Sequence, residues 1–188
     1  MSYRGKVILL GDAGVGKTSL LTRYVDGIFR SEYIQTIGAN FLIKEVDLSK
    51  IIDKLNIEDE ELISTIKERR VSIYYWDIGG QHDKLFANEY YFIQAVGAIV
   101  IFNVDNRETY NNLDFWISKM KQLSGEDIPY IIIGNKIDLQ DKREIQTEEI
   151  QKKAEEYGVH YFETSAKLNE SVDAAFEDLS IQILNNLK

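Results

Sequence analysis

The sequence has no cysteine in its 188 residues, which excludes disulfides, a thiolate metal cluster and a catalytic thiol. It also leaves no acceptor for a prenyl group. The closing residues, Asn185-Asn186-Leu187-Lys188, contain no prenylation box, so no lipidation site is expected in this chain. No apolar run approaches the roughly 20 residues that cross a bilayer. Met1 to Lys6 carries no apolar signal segment. These absences predict a cytoplasmic protein with no transmembrane segment. Positive charge is also scarce: 22 Lys and Arg stand against 31 Asp and Glu, a net charge of −9. Nucleic-acid grooves and polybasic membrane anchors both need clustered positive charge, so neither is expected. A single proline interrupts almost nothing, and no internal repeat, linker or low-complexity tract is visible.

What remains is the composition of a soluble globular domain, 44% apolar and 28% charged, long enough to bury a proper core. Lys6 to Leu10 reads as a short buried strand. After it Leu20, Leu21, Tyr24 and Val25 recur at helical spacing. Val71 to Trp76, Ala98 to Val104 and Tyr130 to Ile133 are β-branched or aromatic strand runs. Leu113, Trp116, Ile117, Met120 and Leu123 mark one helix. Val172, Phe176, Leu179, Ile183 and Leu187 mark the last, with Asn169 as its expected N-cap. Alternating strands and helices predict an α/β sandwich with a mostly parallel sheet, whose ligands sit beyond the carboxyl ends of the strands. Residues 49–70 break the rhythm. They are rich in charge yet carry Ile51, Ile52, Leu55, Leu62, Ile63 and Ile66, the pattern of one or two amphipathic helices rather than a turn.

Between the first strand and the first helix stands Gly11-Asp12-Ala13-Gly14-Val15-Gly16-Lys17-Thr18, a complete G-x-x-x-x-G-K-[ST] loop followed by Ser19. Its glycines let backbone N–H groups wrap a polyphosphate, and the helix adds its positive end. Lys17 can reach the terminal phosphates, and the Thr18 hydroxyl can ligate Mg²⁺. Such a site needs backbone groups, one lysine and a metal ion, so the acidic net charge does not oppose it. Asp77 closes the strand Ile73 to Trp76 and precedes Ile78-Gly79-Gly80-Gln81. A carboxylate there suits the outer shell of Mg²⁺, although Asp-x-Gly-Gly alone is only a turn. Asn135-Lys136-Ile137-Asp138 follows the strand at Ile131 to Gly134. Asp138 can accept from guanine N1–H and its 2-amino group, whereas adenine would leave it unpaired, a difference of roughly 10⁴-fold or more.

Taken together, these motifs resemble a small GTPase of the Ras superfamily, closest to its Rab branch, over essentially the whole length. The phosphate loop, Thr36, Asp77-x-x-Gly80-Gln81, Asn135-Lys136-x-Asp138 and Ser165-Ala166-Lys167 occur in the family's order and at its approximate spacing. The Rab character comes from Thr36-Ile-Gly-Ala-Asn-Phe41, the Trp before Asp77, Tyr90-Tyr91, and Phe162-Glu-Thr-Ser-Ala-Lys167. The resemblance implies a P-loop NTPase G domain over residues 1–188. Its six-stranded central sheet would be mostly parallel, with one antiparallel edge strand, helices on both faces and an inserted helical arm at 49–70. It implies GTP or GDP as ligand with Mg²⁺ held by Thr18, Thr36 and Asp77. Phe29 would pack on the guanine, Tyr33 would lie over the phosphates, and the Gly80 N–H would meet the γ-phosphate. Gln81 would orient the attacking water, with Lys17 beside it in the chemistry. Lys136 and Lys167 would frame the base, with the Ala166 N–H on guanine O6. Residues 30–40 and 78–92 would be the switches, met by an activating protein, an exchange factor and effectors, and a monomer is expected.

The chain also departs from the pattern. Ala13 stands where Ras proteins carry glycine, which bears on hydrolysis rather than on binding. Ile78-Gly79-Gly80-Gln81 is similar to Arf-type proteins, and His82, where a glutamate is common, reads either as a tuner of the water or as a solvated loop residue. His160 is read as packing or surface. Phe41, Trp76 and Tyr91 are either the Rab effector trio or ordinary packing on the sheet. The 49–70 insertion is either a partner-specific arm, favoured here for its apolar stripe, or a benign decoration. Arg30 is a weak candidate for an arginine supplied in cis, so an arginine from an activating protein is expected in trans. The main reading is a switch with slow intrinsic hydrolysis. The alternative is a constitutively GTP-loaded interaction module, and an ATP-using kinase or ATPase is disfavoured by the guanine clamp.

Overall fold

A computed structural model describes residues 3–29, 42–50, 52–54, 57–69, 71–79, 89–125 and 127–186. The strands are β1 (Arg4–Leu10), β2 (Leu42–Asp47), β3 (Ser72–Asp77), β4 (Ala95–Asn103), β5 (Tyr130–Asn135) and β6 (Tyr161–Thr164). The helices are α1 (Lys17–Asp26), α2 (Glu60–Arg69), α3 (Arg107–Asn111), α4 (Leu113–Ser124), α5 (Thr147–Tyr157) and α6 (Val172–Asn185). The six strands form one sheet in the order β2-β3-β1-β4-β5-β6. Only β2 runs antiparallel, against β3 at the edge. The rest pair in parallel.

The buried strands read as continuous apolar runs because both faces of the sheet are covered. Along β1, Val7 and Leu9 point to one core with α1, α2 and α6. Ile8 and Leu10 point to the other, with α4 and α5. This period of two sorts the side chains of one strand between two layers. On β3 the alternation buries Ile73, Tyr75 and Asp77 and leaves Ser72, Tyr74 and Trp76 half-buried.

Three expectations shift. The strands extend beyond the expected runs, to Arg4 in β1, Ala95 in β4 and Asn135 in β5, because ladder pairing is made by the backbone and continues whatever the side chains. The last helix begins at Val172 after Ser171, with no side-chain cap. Asn169 instead takes a left-handed turn at φ 59° inside the loop that pairs Ser165 with Glu170, so it is not the N-cap. Residues 49–70 hold two short 3₁₀ segments, ending at Lys50 and Lys54, and then α2.

The apolar stripe of α2 is not an exposed face. Leu62 and Ile66 are buried in the core beside Leu48 and Val71, while Glu60, Glu61, Ser64, Lys67 and Glu68 face outward. Of the stripe that favoured a partner-binding arm, Leu62 and Ile66 are taken up by core packing, Ile52 and Ile63 are half-buried, and Ile51 and Leu55 lie outside the described residues. Asp47 pairs with Ser72, and Arg4 pairs with the same Ser72, whereas Asp77 lies beside Leu9 and Leu42. The insertion therefore leaves the sheet at the pole opposite the end of β1, about 20 Å from Leu10 at 3.3 Å per residue.

Candidate functional site

β1 ends at Leu10 in the middle of the sheet, with β3 on one side and β4 on the other. That is the switch point at which α/β folds open a crevice beyond the strand ends. The loop at 11–16 lies there. Gly11 has φ 139°, and a Cβ on it would fall 2.2 Å from the Ile101 carbonyl oxygen. Gly16 has φ 98°, and a Cβ there would fall 2.4 Å from Asn135 Nδ2. Only glycine fits either position, for backbone angle and for space.

Lys17 opens α1 and is 6% exposed. Its ammonium curls back to donate to the Gly11 and Asp12 carbonyls, both at 2.8 Å. Burial pushes this group down to about 8, against the pull of Asp77 and Asp12, which favour its charge. A cation so poorly solvated is ready to exchange carbonyl partners for an anion. Next to it the Thr18 hydroxyl donates to Asp77 Oδ2. Asp77 is 1% exposed. Burial raises its pKa, opposed by the Thr18 hydrogen bond and by Lys17. Its Oδ1 is buried with no hydrogen-bond partner among the described residues. A hydroxyl and a carboxylate with an orphaned oxygen are hard donors of the kind Mg²⁺ takes. Among the described residues no three His, Cys, Asp or Glu form a metal cage of their own, so further ligands would have to come from elsewhere, phosphate oxygens included.

The other end of the crevice is assembled from the loops after β5 and β6. Asp138 Oδ1 accepts from the Ser165 hydroxyl at 2.7 Å, and its Oδ2 lies 3.9 Å from Lys167 Nζ. Ser165 Oγ also accepts from the Leu168 N–H, at 3.0 Å. Ser165 thus aims the carboxylate while fixing the loop that carries Ala166. The Ile137 N–H donates to the Thr164 carbonyl, at 3.1 Å, joining the two loops. Asn135 does not face outward. Its amide nitrogen donates to the Val15 carbonyl at 2.9 Å, and its oxygen accepts from Thr164 at 3.1 Å. It staples the glycine loop to the loops after β5 and β6 and is 2% exposed. Lys136, the next residue, takes a left-handed φ of 69°.

A Ras family model matches residues 6–185. The Ras-related protein Rab-10 of Caenorhabditis elegans is 34% identical over 179 residues, covering 95% of this chain and 80% of that protein. Rab-13 of Bos taurus is 32% identical over 95% of this chain and 79% of its own length. Rab-8B of Homo sapiens is 31% identical over 98% and 81%. The chain belongs to the Ras family.

It is a Rab-like small GTPase, a molecular switch of a family whose members hydrolyse GTP, bind guanine nucleotides and answer to activating proteins, exchange factors and effectors. Within this Ras-family domain, Asp12 to Thr18, Asp77, Asn135, Lys136, Asp138, Ser165, Ala166 and Lys167 follow the carboxyl ends of their strands, and Phe29, beyond the end of α1, packs against the core of α1, α2 and α6. Tyr33, Thr36, Gly80 and Gln81 lie outside the described residues, as do Arg30, Phe41 and His82. Of the aromatic trio, Trp76 and Tyr91 pack against the core of α4 and α5 and remain half-buried. Lys6 lies over the Trp76 ring at 5.1 Å and donates to the Tyr90 and Ile93 carbonyls. His160 is exposed and bonds Asp178 at 3.0 Å, a surface role.

Sequence reasoning missed the residues that hold the loop from outside. Asp12 Oδ1 accepts from the Trp116 indole at 2.8 Å, and Oδ2 from the Asn112 amide at 2.7 Å, so its side chain turns away from the crevice. With its amide oriented to satisfy both neighbours, Asn103 donates to the Val15 carbonyl at 2.9 Å and accepts from Lys136 at 3.0 Å. No local pattern announces these partners, which are separated by about a hundred residues of chain.

Proposed function

We propose that residues 1–188 form one G domain with a helical insertion at 49–70. This monomeric, Rab-like switch binds GTP and GDP with Mg²⁺ and hydrolyses GTP slowly, in membrane trafficking or signalling. The reading is carried by one observation: the buried Asp77 carboxylate, bound through one oxygen to Thr18 and orphaned at the other, beside a desolvated Lys17. Thr18 and Asp77 would hold the metal, Asp77 through its outer shell, with Thr36 joining when the γ-phosphate is present. A Mg²⁺ held there would supply neutralisation of phosphate charge. Lys17 pairs with those phosphates, and the backbone N–H groups of Ala13 to Ser19 line the chain of oxygens. Gly80 meets the γ-phosphate and Gln81 orients a water whose oxygen attacks the phosphorus as the bond to GDP breaks. At the other end Asp138 reads N1–H and the 2-amino group, Ala166 reads O6, Asn135 holds the loops together, and Lys136, Lys167 and Phe29 frame the ring, with Tyr33 over the phosphates. Residues 30–40 and 78–92 carry the partner surface, and an activating protein supplies an arginine in trans.

Single-turnover hydrolysis of bound GTP tests this, comparing wild type with Gln81→Leu, with Mg²⁺ and with chelator. Slow hydrolysis that needs Mg²⁺ and collapses in Gln81→Leu is the expected result. GTP that binds and stays intact in both proteins would refute the hydrolytic role and leave a permanently loaded interaction module.

A further inference from the structure

We propose that Arg23 is a positioning residue for the base, a planar clamp that joins Phe29 to the Ala166–Lys167 loop. The inference rests on the guanine assignment above. Arg23 lies in the last turn of α1, where a basic residue is ordinarily read as a partner of the helix dipole. One of its contacts fits that reading: Nη1 donates to the Gly27 carbonyl at 2.8 Å. The other two do not. Nε donates to the Ala166 carbonyl at 2.8 Å and Nη2 to the Lys167 carbonyl at 3.2 Å, across 143 and 144 residues. The guanidinium also lies 5.9 Å from the centre of the Phe29 ring.

Each of these partners belongs to the base end. Gly27 closes α1 in the left-handed region at φ 68°, with its N–H on the Arg23 carbonyl. That turn carries Phe29 back over the side chain it has just left. On its far side the Ser-Ala-Lys loop is held by Ser165, through Asp138 and the bridge to Glu170. Ala166 has no side chain with which to anchor the near side, and Arg23 supplies that anchor. α1 itself is a rigid strut about 15 Å long at 1.5 Å per residue. It begins at Lys17 and Thr18 and ends at Arg23 and its neighbours, so one helix sets the spacing between phosphate and base. A lysine cannot replace this arrangement, because three separate N–H directions and a stacking plane are used at once.

The test uses the full chain loaded with a fluorescent N-methylanthraniloyl GDP and chased with unlabelled GDP. Arg23→Ala is expected to release GDP about tenfold faster, the loss of charge-assisted bonds to two loop carbonyls. Arg23→Lys, which keeps the charge and the fold, is expected to fall between the two. The rate constant for hydrolysis of already bound GTP stays within about twofold of wild type, since among the described residues the contacts of Arg23 are with Gly27, Phe29, Ala166 and Lys167 and not with the phosphate loop. Preference for GDP over IDP also stays, because it depends on Asp138 and the 2-amino group that inosine lacks. Release from Arg23→Ala within about twofold of wild type overturns the proposal. A parallel fall in the hydrolysis constant also overturns it, since that marks general structural damage. A wild type that retains no GDP overturns the guanine reading itself.

Discussion

Truncation of the α2 stripe distinguishes an integral helix from an arm attached only through its ends. Leu62 is 2% exposed and Ile66 is fully buried, one turn apart on the face that meets Leu48 and Val71. Replacing either with alanine removes three carbons that are kept from water, worth about 0.8 kcal/mol each on transfer. A residual cavity adds to this, and collapse of the neighbouring segment subtracts from it. The expected cost is about 2–3 kcal/mol for each substitution, the lower part of the range for large-to-alanine changes. Lys67 lies on the outer face of the same helix, and Lys67→Ala is expected to cost less than about 0.5 kcal/mol. Urea unfolding at a fixed saturating concentration of GDP and Mg²⁺ measures all three, because bound ligand otherwise moves the midpoint by mass action. GDP affinity should be unchanged, since the helix sits at the pole opposite the phosphate loop. If Leu62→Ala and Ile66→Ala cost no more than Lys67→Ala, the packing described for α2 is wrong and the helix stands free of the core.

Two further outcomes follow from the polar contacts. Asp138→Asn should weaken GDP binding by about a hundredfold or more and raise affinity for xanthosine diphosphate, whose 2-oxo group accepts from an amide; unchanged guanine affinity in a binding titration would remove Asp138 from the base site. Asp114 accepts from Lys153 Nζ at 2.9 Å and from the Tyr157 hydroxyl at 2.5 Å. Burial pushes its carboxyl up, but these two bonds and the Lys153 charge hold it below the ordinary carboxylate value. The stabilisation is therefore present above the unfolded-state value and is lost as pH falls through the lower folded one. The carboxylate is 56% exposed, so solvent screening limits the effect to about 0.5 kcal/mol. Urea midpoints from pH 6 down to pH 2 should converge for wild type and Asp114→Asn; parallel curves would contradict the assignment.

Much of the site was legible because its chemistry is local. A loop that wraps phosphate needs glycines at set offsets before a helix, and Gly11, Gly14 and Gly16 all take positive φ where the chain passes the strand ends. Asp77 and Asp138 each follow a strand run, and parallel pairing of β1 with β3 and β4, and of β4 with β5, brings all those strand ends to one edge. Strand runs with helical stripes between them were enough to imply the two-faced sheet. Such features depend on backbone angles and on hydrophobic period, and both are written in neighbouring residues.

Tertiary packing decided the rest. Whether Leu62 and Ile66 face a partner or the core depends on where β2 and β3 leave the sheet, and there the apolar surface beside Leu48 and Val71 buries them. Asn169 has the right chemistry for a cap, but the bridge between Ser165 and Glu170 holds it in a left-handed turn, so the helix begins after Ser171. Asp12 turns to Trp116, Asn135 to Val15 and Arg23 to Ala166 because the fold brings distant hydrogen-bond partners, an indole N–H for the first and carbonyls for the other two, within 3 Å of them. A residue's type states which bonds it can make. Which of them it does make is settled by the groups the folded chain places within reach, since buried polar atoms must find partners there rather than in water.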